Sequence, residues 1–171
     1  MKAAVPLLFV AVLAAGPAVA AGAKGAACRD EILAAARRHG VPEAVALTVA
    51  RVESGGDPLA MNIQGWPAWA HSATDAVNAV RKLRAAGVTS IDVGCMQINL
   101  KHHPTAFPRL EDAFDPKVNV DYGVRFLKRL HAEKRSWGKA IASYHSSDPA
   151  RQKVYLRTVL SKFSGLSHPH R

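Results

Sequence analysis

Apolar residues recur every three or four positions along most of the chain, which is the period of an α-helix. The pattern predicts one helix at 28–39, stopped by Gly40, and a second from Pro42 to Glu53. Four more helices are predicted at 74–86, from Asp115–Pro116 to about 131, around 137–144, and after Asp148–Pro149. Their inward stripes are Val77, Val80 and Leu83; Val120, Val124 and Leu127 with Leu130 or His131; Trp137, Ala140, Ile141 and Tyr144; and Tyr155, Val159 and Phe163.

The middle of the chain breaks this pattern. Residues 54–58, SGGDP, form a dense turn signal, and 59–72 has no clear periodicity. Residues 91–99 fit either a short strand or a hairpin, and the pattern does not choose between them. The sequence therefore predicts a mainly α protein with a very small β element.

The first twenty residues have the layout of a secretory signal peptide. Lys2 precedes an apolar run, and Ala18-Val19-Ala20 has the form of a signal peptidase site. A retained anchor is the alternative, but the run is shorter than the ~20 residues that span a bilayer. We expect a signal peptide at 1–20, one domain at 21–164 and a flexible tail at 165–171. The mature protein would be periplasmic or secreted, meeting the membrane only during export.

The charge and the two cysteines refine this picture. A net charge of +10 invites a nucleic-acid partner, but the basic residues are scattered and do not alternate with aromatic ones. We therefore expect no nucleic acid. Cys28 and Cys95 form either one disulfide or two free thiols, and an exported protein favours the disulfide. His71, His102, His103 and the pair His168/His170 lack ligand spacing, so no metal is expected.

Glu53 is the strongest candidate for a catalytic residue. It follows Val49 and Ala50 by four and three residues, on the apolar face that Ala46 shares. Burial disfavours the charged form of a carboxyl group and raises its pKa, as a general acid near neutral pH requires. The alternative is a glutamate that reaches solvent or caps nearby backbone.

Four short motifs in order strengthen the catalytic interpretation. They are ESGGDPLAMN at 53–62, GCMQIN at 94–99, FDP at 114–116 with Asn119 and Gly123, and SYH at 143–145. Together they resemble the soluble lytic transglycosylase (SLT) domain across about residues 28–160. The resemblance implies a goose-type lysozyme-like helical fold around a saccharide groove. It also implies peptidoglycan glycan strands as the substrate.

The resemblance assigns roles by position. Glu53 is the implied catalytic residue, and Tyr144 is expected to reach toward its carboxylate. Implied saccharide-binding or groove-shaping residues are Ser54, Asn62, Met96, Gln97 and Asn99. Alternatives stay open for three of them: Met96 as core, Tyr144 as part of an apolar stripe, and Asn62 as a turn residue.

The implied reaction uses one carboxylate, no water and no cofactor. Glu53 protonates the bond between N-acetylmuramic acid and N-acetylglucosamine, then acts as base while a 1,6-anhydro ring closes. Ordinary glycosidases need a second carboxylate. Asp57 and Asp92 are the candidates, and we interpret them as a turn residue and a loop residue. A hydrolytic muramidase on the same fold and an inactive wall-binding protein are the alternatives. The resemblance leaves two biological roles open. Small exported members of the family often open the wall locally for a secretion or flagellar assembly, and others take part in general wall turnover.

The chain departs from the family pattern in two places. His145 stands where asparagine is usual, either as a second titrating group or as a partly exposed substituent; we favour the second. An extra segment near 63–90 contains Trp66 and Trp69. These tryptophans either stack on sugar faces or seal the segment onto the body, and we favour sealing slightly.

Overall fold

The computed structural model describes residues 17–164, with side chains from 25 to 163. Residues 1–16 of the predicted signal peptide, the tail 165–171 and the histidines within it lie outside the described residues. The structure is mainly helical with a small sheet, as predicted. Across the described residues, no helix combines the length and apolar character needed to cross a membrane.

Six α-helices account for most of the described chain: α1 (Pro17–His39), α2 (Glu43–Glu53), α3 (Ala73–Ala85), α4 (Pro116–Lys134), α5 (Trp137–His145) and α6 (Pro149–Ser164). Five match the predicted helices closely. The exception is α1, which begins well before residue 28 because an alanine-rich stretch, favourable to helix, precedes it. Asp115 caps α4 through its carboxylate, which accepts from the backbone of Lys117 and Val118.

A four-stranded antiparallel sheet forms the small β element. Its strands are β1 (Ala60–Ile63), β2 (Trp66–Trp69), β3 (Ile91–Val93) and β4 (Ile98–Asn99), in the order β2-β1-β3-β4. The hairpin of β1 and β2 lies within 59–72, where the sequence shows no clear periodicity and no strand was predicted. Gln64 and Gly65 both have positive φ, as a tight two-residue hairpin turn requires, and glutamine is an unusual first residue for it. Residues 91–99 are a hairpin rather than one strand.

Two apolar cores divide the protein into two lobes. The helical lobe comprises α1, α2, α4, α5 and α6, whose core contains Ile32, Val49, Met96, Val120, Val124, Leu127, Leu130 and Val159. The sheet lobe comprises β1–β4, α3 and a short 3₁₀ helix (Leu110–Phe114), whose core contains Met61, Val77, Val80, Ile91, Val93 and Phe114. Leu130, rather than His131, completes the α4 stripe.

A disulfide joins Cys28 of α1 to Cys95, just before β4. Both cysteines are fully buried, and 67 positions separate them along the chain. The disulfide predicted as one of two alternatives is therefore present. It anchors the turn between β3 and β4 to the first helix of the helical lobe.

Candidate active site

Glu53 is the last residue of α2, and the face of that helix below it is buried. Ala46, Val49 and Ala50 on this face are each at most 1 % exposed, as the sequence pattern predicted. The pKa of the Glu53 carboxyl is raised from 4.5 to about 7, and burial is the largest cause. The hydrogen bond from Tyr155 lowers the pKa and so opposes this effect, and the nearby negative charge of Asp92 adds a smaller rise. The group therefore exchanges its proton near neutral pH.

Tyr155 on α6, rather than Tyr144, holds the Glu53 carboxylate. The Tyr155 hydroxyl donates to Oε1 of Glu53 at 2.5 Å. The Tyr144 hydroxyl instead donates to the backbone carbonyl of Met96 at 2.9 Å. Tyr144 was expected to reach toward the carboxylate. It lies near enough for the charge of Glu53 to raise its pKa, after burial as the largest cause, but its hydroxyl bonds to Met96 instead. Tyr155 was predicted only as an inward-facing residue.

Gly123 on α4 explains where Tyr144 and Met96 sit. A Cβ added to Gly123 would lie 2.6 Å from Cβ of Met96 and 3.0 Å from the Tyr144 hydroxyl oxygen. Only a glycine leaves room for both, so α4 and the Met96 loop pack at very short range. Met96 itself is fully buried in the core of the helical lobe, which agrees with the core alternative. Its backbone N–H donates to Asn119, a buried residue of α4.

Ser54 and Gln97 connect segments of backbone. The Ser54 hydroxyl donates to the carbonyl of Cys95 at 2.8 Å and accepts from the N–H of Gly56. The Gln97 amide donates to the carbonyls of Ala60 and Gly94 at 3.0 and 3.1 Å. These bonds hold β1, the end of α2 and the GCMQIN loop together beneath Glu53. Direct contact of either side chain with a saccharide stays a prediction.

Asn62 and Asn99 lie on the sheet with Asp92 between them. Asn62 pairs with Asp92, and Asp92 pairs with Asn99, across neighbouring strands, so all three side chains share one face. We call it the polar face. Asn99 donates to the Asp92 carboxylate at 2.8 Å. The side-chain oxygen Oδ1 of Asn62 accepts from the N–H of Gly65, so Asn62 does hold a turn.

Asp92 was wrongly interpreted as a loop residue. It lies within β3, and its apolar neighbours Ile91 and Val93 point into the core of the sheet lobe. Burial raises the Asp92 pKa, while the hydrogen bond from Asn99 lowers it. The alternation of apolar, acidic and apolar residues at 91–93 fits a strand with its carboxylate on the opposite face, but three residues are too few to establish that period from the sequence. Asp92 therefore faces the site from the second lobe.

His145 stacks flat against Tyr155, with ring centroids 4.5 Å apart and planes inclined by 3°. Burial lowers the His145 pKa, and the nearby Arg151 lowers it further, so the ring is neutral near pH 7. His145, Arg151 and Tyr155 line a pocket of about 440 Å³ with Ala150, Val154 and Thr158. His145, which stands where asparagine is usual in the family, thus packs against Tyr155, the tyrosine that binds Glu53.

Among the described residues, no three histidine, cysteine, aspartate or glutamate side chains cluster as metal ligands. The described site offers one partly buried acid, a tyrosine donor, and a second carboxylate on the facing sheet. Such a set suits proton transfer to and from a bound saccharide.

Comparisons with known proteins agree with the motifs. A family model described as the transglycosylase SLT domain matches residues 30–158, which includes every candidate site residue named above except Cys28. No curated protein and no solved structure gives a significant match to the chain.

Proposed function

The chain belongs to the transglycosylase SLT domain family, whose activity is directed at peptidoglycan, and from this premise we propose that it is a lytic transglycosylase with Glu53 as its single acid/base. The product would carry 1,6-anhydro-N-acetylmuramic acid ends. The observation that carries the proposal is the Glu53 carboxyl, which is partly buried at the end of α2, accepts a hydrogen bond from Tyr155 and has a pKa of about 7. A carboxyl group at this pKa has both protonation states available near neutral pH.

In the first step, protonated Glu53 gives its proton to the glycosidic oxygen between N-acetylmuramic acid and N-acetylglucosamine. The bond from C1 of the muramyl ring to that oxygen breaks, and the acetamido group of the same sugar stabilises the resulting oxocarbenium ion. Tyr155 donates to Glu53 Oε1 and stabilises the carboxylate that the step leaves behind.

In the second step, the Glu53 carboxylate takes the proton of the muramyl 6-hydroxyl. The freed oxygen attacks C1 and closes the 1,6-anhydro ring, which returns Glu53 to its protonated form. Protons balance over the cycle, and no water is consumed. The raised pKa supports both steps, because it makes the acid form available and keeps the carboxylate basic.

Clearing of purified sacculi tests the role of Glu53. We expect Glu53→Gln to lower the rate roughly 10³-fold, since general acid–base catalysis contributes about 10²–10⁴-fold. Glu133→Gln, which alters an exposed carboxylate of α4, is the matched control and should leave the rate unchanged. Equal clearing by Glu53→Gln and wild type would remove Glu53 from its role. If neither protein clears sacculi, the inactive wall-binding alternative is favoured.

A hydrolytic muramidase is the second candidate, and Asp92 is the observation that favours it. A second carboxylate facing the acid is what water-using glycosidases require, and the charge of Asp92 reaches Glu53. Mass spectrometry of digested peptidoglycan separates the two reactions. Anhydro ends support the transglycosylase, and reducing ends that disappear with Asp92→Asn support the hydrolase.

We also propose export to the periplasm or beyond, followed by local wall opening at a secretion or flagellar assembly. The signal-like sequence at 1–20 supports export, and the Cys28–Cys95 disulfide suits an oxidising compartment. A reporter enzyme that is active only outside the cytoplasm, fused after residue 30, should gain activity. Crosslinked Glu53→Gln protein should recover components of such an assembly; recovery of sacculus alone favours general wall turnover.

A further inference from the structure

Two tryptophans on the edge strand β2 are unusually exposed. Trp66 is 78 % exposed and Trp69 is 63 % exposed, so neither seals the inserted segment onto the body. The expectation that we favoured for them was wrong, because the much smaller Ala68 packs into the core from this strand. A large aromatic surface left in water is more informative than an exposed polar residue, since burying it would stabilise the protein.

Strand geometry places the two tryptophans on opposite faces of the sheet. Trp66 pairs with Ile63, which packs into the core of the sheet lobe, so Trp66 belongs to the apolar face. Trp69 pairs with Ala60, and Ala60 lies two positions before Asn62 on β1. Residues two apart on a strand, and residues paired across strands, share a face. Trp69 therefore shares the polar face with Asn62 and Asp92.

The polar face leads from Trp69 to the catalytic acid. Asp92 lies on this face, and its charge raises the pKa of Glu53. Strand spacing of about 4.8 Å and a rise of about 3.4 Å per residue place the Trp69 Cα roughly 12 Å from the Asp92 Cα. Trp69 therefore lies on the same surface as Asp92 and the site. It is far enough away to contact a different sugar ring from the one that reacts.

We propose that Trp69 is a sugar-stacking residue of the glycan groove, a subsite beyond the bond that is cleaved. The proposal rests on the proposed function and names how the same groove holds its polymer. One face of a pyranose ring presents C–H groups that pack on an indole ring, and the hydroxyl and acetamido groups remain at the edge. The half-exposed Asn62 lies between Trp69 and Asp92, and its amide N–H₂ has no protein partner in the described part of the chain. It is available to donate to an acetamido oxygen of the same strand.

Binding of the N-acetylglucosamine hexamer to the Glu53→Gln protein tests this assignment without cleavage of the ligand. We expect Trp69→Ala to weaken binding about tenfold by calorimetry, and Trp69→Phe to recover most of the loss. Trp66→Ala is the matched control, because it removes a tryptophan that is even more exposed from the opposite face of the same strand. Its affinity should stay within about twofold of the parent protein.

Three outcomes would overturn the assignment: no loss with Trp69→Ala, equal loss with Trp66→Ala, or no hexamer binding by the parent protein. Sacculus clearing by proteins that retain Glu53 separates this result from the proposed function. If wild type clears sacculi and Trp69→Ala binds the hexamer normally, only the Trp69 subsite fails. If wild type does not clear sacculi, the proposed function fails, and hexamer binding still reports on Trp69.

Discussion

The two lobes prepare the site in opposite ways. In the helical lobe, Glu53 lies above a fully buried face of α2, and burial is the largest cause of its raised pKa. In the sheet lobe, only one face packs on α3, and the other presents Asn62, Asp92 and the exposed Trp69. The helical lobe therefore raises the pKa of a carboxyl group by excluding water, whereas the sheet lobe keeps polar and aromatic groups at its surface. In the proposed function, the first environment serves catalysis and the second serves recognition of the glycan.

Among the described residues, a disulfide and several hydrogen bonds link the two lobes at and beside the GCMQIN loop. The disulfide anchors Cys95 to α1, Ser54 binds the Cys95 carbonyl, and Gln97 binds β1. Asn119 of α4 completes the junction, since its amide donates to the carbonyls of Val93 and Ala113. The distance between Glu53 and the polar face depends on this loop.

Removing the disulfide should give the largest change in stability. The double variant Cys28→Ala/Cys95→Ala should lower the free energy of unfolding by about 4 kcal/mol, because the bridge closes a long loop in the unfolded chain. Urea denaturation measures this loss. Ser54→Ala, which removes one hydrogen bond to the same loop, should cost only about 1 kcal/mol. A loss below that of Ser54→Ala would show that the disulfide does not constrain the junction.

Glu53→Gln should stabilise the protein, and only at higher pH. The folded pKa of about 7 exceeds the usual 4.5, so the folded state binds the proton more tightly and wild type loses stability as pH rises from 4.5 to 7. Glutamine cannot ionise, so the variant should gain about 2–3 kcal/mol at pH 8 and almost nothing at pH 4. Thermal unfolding at the two pH values measures the gain, with Glu133→Gln as the control. A gain of the same size at both pH values would contradict burial as the cause.

The smallest expected effects are shifts of the pH dependence of activity. A variant in the helical lobe and a variant in the sheet lobe should shift it in opposite directions. Activity should fall as Glu53 loses its proton above pH ~7. Tyr155→Phe removes a bond that favours the carboxylate, so the fall should move to higher pH by up to about one unit. Asp92→Asn removes a negative charge, so the fall should move to lower pH. Profiles of kcat/KM against pH measure both shifts. Tyr144 also lies close to Glu53, but its pKa is raised well above 10, so it does not cause the fall near pH 7.

Each shift has a distinct contradictory result. A downward shift with Tyr155→Phe would mean that Tyr155 does not stabilise the ionised form. Loss of all activity with Asp92→Asn, rather than a shifted profile, would place Asp92 in the chemistry and favour the hydrolytic mechanism. The two variants together test whether Asp92 of the sheet lobe only adjusts the pKa of Glu53 or takes part in the reaction.

The helices were predictable because local rules decide them. Apolar stripes at helical spacing and the Asp115–Pro116 start gave α4 with its buried Val120 and Leu127. The β1–β2 hairpin was missed because strands of four residues are too short to show a period and Gln64–Gly65 is a weak turn signal. Asp92 was misassigned for the same reason, since β3 has only three residues.

The sequence by itself determined the helical class, the motif order and the position of Glu53 on a buried stripe, because helix period and motif spacing are local properties. The tertiary structure decided which tyrosine holds Glu53. Tyr144 and Tyr155 both belong to apolar helical stripes, and only the packing of α6 on α2 and of Tyr144 over Gly123 distinguishes them. It also decided that Asp92 and Trp69 share a face with each other and with Asn62. That juxtaposition depends on strand register, which pairs residues distant in the chain.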